Sequence, residues 1–89
     1  MEGGASPYIA DIKISPGVSA KIAEKHQVRE SEVREAFVMT TLIKAGWDFD
    51  PERGWRLLVV GRTYEGRVLN GVLYSAGDGT WWLGTAFPP

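Results

Sequence analysis

Between residues 44 and 87 the chain is broken by three short turn sequences, PERG at 51–54, YEG at 64–66 and AGDG at 76–79, each set between runs rich in β-branched and aromatic residues. Pro, Asp and Gly at such spacings reverse a chain within a few residues, and runs of that composition fit strands better than helices. KAGWDFD (44–50), WRLLVVGRT (55–63), RVLNGVLYS (67–75) and TWWLGTAF (80–87) therefore read as four successive strands of an antiparallel meander. Gly66 has the conformational freedom to take the positive φ that the YEG turn needs.

The first half reads differently. YIADIKI (8–14) alternates as a strand does, with Tyr8, Ala10, Ile12 and Ile14 on one face and Ile9, Asp11 and Lys13 on the other. Ser15-Pro16 then marks a helix start, because a Ser hydroxyl can accept from an orphan N–H and Pro at the first helical position loses no hydrogen bond. That helix carries Val18 and Ile22 on one face, with Lys21, Glu24 and Lys25 around the others, and runs to His26-Gln27. A second helix is expected from around Arg29–Ser31. Glu30 and Glu32 suit the positive end of its dipole, and Val33, Ala36, Phe37 and Thr40 form its apolar stripe. The β-branched run VMTTLI (38–43) then returns the chain to extended structure. The expected fold is α+β, two helices packed on an antiparallel β-sheet meander. It forms a single domain over 8–89, preceded by a flexible N-terminal segment, MEGGASP, at 1–7.

Composition narrows the function classes. A chain of 89 residues buries roughly 60–65% of its unfolded surface, enough for one modest core. Without cysteine, disulfides and thiolate metal sites are excluded, and a cytoplasmic location fits. No apolar run approaches the roughly 20 residues a bilayer span needs, so no membrane association is expected. Ten Lys+Arg against 11 Asp+Glu give a net charge of −1, which argues against nucleic acid as a default partner. With a single histidine there is no metal-ligand cluster. There is no Gly-rich phosphate loop either, and GDG at 77–79 is turn chemistry. No metal and no cofactor are expected.

Three sets of residues could carry chemistry. His26 falls at the end of the first helix beside Lys25 and near Lys21. There it either caps carbonyls at the negative end of the dipole or acts as an acid/base or phosphate-contacting group. Arg56 and Arg62 are six apart on one strand and share a face, and the short turn brings Arg67 near Arg62. Three guanidiniums so placed could grip phosphates bidentately, or they could pair with Asp48, Asp50, Glu52 and Glu65. Adjacent Trp81 and Trp82 point to opposite faces of the last strand. One packs under the helices, while the other is exposed, stacked on an arginine or buried against a partner.

Two stretches resemble a known family. KIAEKHQVRESEVREAF (21–37) is similar to the helix–KHGV–xxxEV–helix signature of the BrnT-like toxins of the RelE/ParE superfamily. GWRLLVVGRTYEGRVLNGVLYSAGDGTWWLGTAF (54–87) is similar to the strand–GRT–xxGR–strand–strand pattern that follows in those proteins. The resemblance covers about residues 8–87, to a form shortened at the C-terminus. It implies the toxin component of a type II toxin–antitoxin system: a metal-independent ribonuclease, cytoplasmic, neutralised by a cognate antitoxin. Lys25-His26 matches the KH of the signature and Arg62 and Arg67 its two arginines, which makes His26, Arg62 and Arg67 the expected catalytic residues; on their charge and position, Lys21, Lys25 and Arg56 are the expected RNA contacts. Such cleavage needs a proton acceptor and cations for the developing phosphorane charge. The alternative is a non-catalytic protein-interaction module derived from that fold, binding a partner or itself through exposed Trp81 or Trp82 and a sheet edge. A nucleic-acid-binding regulator without cleavage is a third reading. Loss of the family's C-terminal helix leaves the last strand as an open edge, which favours a homodimer by strand pairing.

Overall fold

A computed structural model describes residues 7–89. The segment expected to be flexible, 1–7, lies outside the described residues except for Pro7. Seven elements follow in chain order: β1 (Asp11–Lys13), α1 (Pro16–His26), α2 (Glu30–Phe37), β2 (Lys44–Asp50), β3 (Gly54–Arg62), β4 (Val68–Gly77) and β5 (Thr80–Phe87). The fold is α+β, two helices packed on one five-stranded sheet.

Helix α1 begins as its sequence dictates. Ser15 is extended, its hydroxyl accepts from the Val18 N–H at 3.2 Å, and Pro16 opens the first turn. It ends on Gln27 in the left-handed region (φ 53°), whose N–H reaches the Ala23 carbonyl, while Val28 N–H reaches Ile22. This paired closure satisfies two orphan carbonyls, and the buried Val28 seals it against the core. Helix α2 starts two residues later, where Glu32 accepts from the Arg29 N–H at 3.1 Å. Val33, Ala36 and Phe37 are buried as expected, whereas Thr40 is exposed. The helix stops at Phe37 because Val38 is already extended, in line with the β-branched run that follows.

The sheet order is β1-β5-β4-β3-β2. Strands β2 to β5 form the expected meander, but the sheet is mixed, since β1 pairs parallel to β5 with Ile12 opposite Trp81. The last strand is therefore interior, flanked by β1 and β4, and the anticipated open edge at β5 does not exist. Strand β1 is also shorter than the alternation of 8–14 suggests. The carbonyl of Ile9 bonds to Met39 N–H rather than to the sheet, so Ile9 and Ile12, three apart, are the buried pair, and Tyr8 is exposed.

Beyond β1, α1 runs along β5, and α2 lies over β3 and β4. Close approach of α2 depends on Gly61 and Gly71. A Cβ on Gly61 would overlap the Ala36 carbonyl oxygen, and one on Gly71 would overlap the Phe37 ring. The core is Ile12, Ile22, Val28, Val33 and Phe37 against Leu57, Val59, Leu69, Leu73 and Leu83.

Candidate functional site

The residues matched to the toxin signature are held in separate environments. Arg67 closes the turn after β3. Its N–H donates to the hydroxyl of buried Thr63 at 3.0 Å, and its carbonyl accepts from Thr63 N–H at 2.8 Å. From there the guanidinium points to the helices. Nη1 donates to the carbonyl of Gln27 (2.8 Å) and to both carboxylate oxygens of Glu32 (3.1 and 3.2 Å), and Nη2 donates to the carbonyl of His26 (3.0 Å). A cation there meets the negative end of the α1 dipole and its unpaired carbonyls. Glu32 is itself buried. Burial alone would raise its pKa, but the Arg29 N–H and the Arg67 guanidinium outweigh that and hold it below the ordinary glutamate value.

Arg56 and Arg62 do share a face, as their spacing on β3 predicts. Leu57, Val59 and Gly61 turn toward α2, so Arg56, Leu58, Val60 and Arg62 turn away from it. Arg56 is neutralised there: Nε and Nη2 both lie 2.7 Å from Asp48 Oδ2, and Asp50 is 3.6 Å from Nη1. Its pKa is raised, first by the Asp48 hydrogen bond and then by that to Tyr74. Arg62 is exposed, and its side chain has no hydrogen-bond or ion-pair partner among the described residues. The His26 ring is half-buried and lies 5.8 Å from the Phe87 ring. Lys21 and Lys25 are exposed on α1. The expected convergence of Arg56, Arg62 and Arg67 does not occur: Arg67 and His26 meet only through the histidine's backbone carbonyl, and Arg62 leaves from the opposite face.

The tryptophans divide as strand geometry requires. Trp81 is buried, with its indole N–H donating to the Tyr8 carbonyl at 3.0 Å, so its side chain belongs to the core rather than to a partner surface. Trp82 points the other way, is exposed, and has Lys13 Nζ 5.5 Å from its ring centroid.

A larger apolar surface lies at the β2–β3 end of the sheet. Trp47 pairs in register with Leu57, and Phe49 with Trp55, so all these side chains share the face that α2 covers farther along. The two helices, 11 and 8 residues long, leave this end bare. Trp47, Phe49 and Trp55 are accordingly 58%, 54% and 64% exposed. Phe49 meets Trp55 edge-on at 5.3 Å, Trp47 lies 5.9 Å from Trp81, and Trp47 and Trp55 line a shallow apolar recess. The alternation WDFD shows the shared face in the sequence, but not that the helices end short of it. Alongside runs β2, an edge strand of the sheet with no partner beyond β3 among the described residues.

Among the described residues no group of His, Asp or Glu could hold a metal ion, and no helix is long and apolar enough to cross a membrane. Comparison of the chain with protein-family models, with curated proteins and with solved structures gives no match.

Proposed function

We propose that the chain is a non-catalytic protein-interaction module that binds by adding a strand to its sheet at β2. One observation carries this reading: a seven-residue edge, unpaired among the described residues, lies directly beside an exposed shelf of Trp47, Phe49 and Trp55. Strand addition draws its affinity from main-chain hydrogen bonds and its specificity from alternate side chains. Here the shelf would read every second residue of the incoming strand, and Trp is the residue type most enriched at binding hot spots. The reading is of a cytoplasmic protein, consistent with a sequence without cysteine. Panning a random peptide library against the full chain tests it. The selected peptides should alternate apolar and polar residues, perturb β2 amides in NMR spectra, and lose binding in Trp47→Ala. Selection of peptides that map elsewhere contradicts it.

A second reading, the ribonuclease-like toxin implied by the resemblance, draws on Arg62, which no described carboxylate neutralises. It ranks below the first because Glu32 already neutralises the Arg67 guanidinium, whose Nη1 is fully engaged by Glu32 and the Gln27 carbonyl and whose Nη2 donates to the His26 carbonyl. Induction of the chain in a host cell should then arrest growth, and Arg62→Ala should relieve the arrest. Normal growth on induction removes this reading.

A further inference from the structure

We infer that the strand added at β2 is β2 of a second copy of this chain, antiparallel and centred on Trp47, so that two five-stranded sheets become one. This rests on the reading of β2 as a binding edge and names its occupant.

The two edges of the sheet are treated differently. At one edge β1 is only three residues long, and α1 continues beside β5 where β1 ends. At the other, β2 offers seven residues in unbroken register with β3. Proteins usually blunt such an edge with proline, a bulge, inward charges or several lysines. Strand β2 has no proline and no bulge, and its one lysine stands at the end.

The strand is complementary to itself. Pairing about Trp47 sets residue 44 against 50, 45 against 49, and 46 against 48. Lys44 then faces Asp50 of the second copy, and by symmetry this happens twice. Asp50 keeps capacity for it: its Oδ1 accepts the Glu52 N–H at 2.9 Å and its nearest guanidinium atom is 3.6 Å away, which leaves acceptor sites on both oxygens, whereas Asp48 is held by Arg56 at 2.7 Å. On the other face small Ala45 lies opposite Phe49, and the two Trp47 residues lie opposite each other. Opposed residues share parity in this register, so the aromatic shelves of both copies fall on one face and join. A register centred on Gly46 pairs only five strand residues and sets Lys44 against the Asp48 that Arg56 already holds. One centred between two residues puts the shelf of one copy on the polar face of the other.

Sedimentation and cysteine cross-linking test this on the full chain, which has no cysteine of its own. The wild type should sediment at twice 9.8 kDa. An oxidised equimolar mixture of Ala45→Cys and Phe49→Cys should give the mixed disulfide in preference to either homodimer, because directly opposed residues have the Cα spacing a disulfide needs. Lys44→Glu, which sets like charges at both ends, should weaken the dimer about tenfold. A monomer at every concentration up to about 1 mM, or cross-linking indifferent to position, overturns the inference. A monomer that still binds selected peptides at β2 removes the second copy but keeps the edge; a monomer that binds none removes both.

Discussion

The guanidinium of Arg67 lies 3.1 and 3.2 Å from the two carboxylate oxygens of Glu32, 35 positions away in the chain. This ion pair ties the β3–β4 turn to the start of α2, and the bonds to the His26 and Gln27 carbonyls add the end of α1. Arg67 is only half-buried, but Glu32 is buried, so removing the guanidinium strands that carboxylate. Arg67→Ala should lower the unfolding free energy by about 2 kcal/mol. Arg67→Lys should recover only part of this, because an ammonium lacks the planar fork that reaches all three acceptors. Urea denaturation of both variants measures it.

Glu32 sets an acid limit. Its pKa is lowered in the folded state, so the stability it contributes is present above the unfolded glutamate value of about 4.3 and is lost as pH falls through the folded value. The unfolding free energy should decline as pH falls below about 5, and Glu32→Gln should flatten that decline. Glu30, lowered by hydrogen bonds from Ser19 and Arg34, acts in the same direction. It is more exposed, and Glu30→Gln should alter the profile less.

Docking of α2 depends on a bare backbone at β3. Gly61→Ala should destabilise the fold by about 2–3 kcal/mol, because the new methyl meets a backbone carbonyl that cannot move aside. Gly46→Ala, where an added Cβ has open space around it, should change stability by no more than about 0.5 kcal/mol. Thermal melts of the pair separate the two cases.

The tryptophans should divide sharply. Trp81→Ala empties part of the core and should cost about 3–5 kcal/mol. Trp47→Ala and Trp55→Ala remove exposed rings and should leave stability within about 1 kcal/mol while weakening strand addition. Acrylamide quenching of single-tryptophan variants reads the same division directly, with Trp81 the protected one.

Local signals reached the helices and the meander but not the arrangement between them. Ser15-Pro16 placed the start of α1 to the residue, and PERG, YEG and AGDG placed the three reversals, because capping and turn chemistry act over a few neighbouring residues. The parallel docking of β1 against β5 is a contact between chain ends, with no trace in either segment alone. Spacing rightly put Arg56 and Arg62 on one face, but carboxylate neutralisation also depends on register: Asp48 stands directly opposite Arg56. The side to which Arg67 turns is decided by Glu32 and the end of α1, far away in sequence. Exposure of Trp47, Phe49 and Trp55 follows from where the helices stop over the sheet, a tertiary fact.

Whether β2 is the binding edge can be read from hydrogen–deuterium exchange of the backbone amides of 44–50, comparing dilute chain with concentrated or peptide-saturated chain. Amides on the open side of β2 should exchange rapidly when dilute and slow by orders of magnitude on association, in alternate residues. Unchanged exchange along β2, with protection appearing instead around Arg62 and His26, would contradict that role.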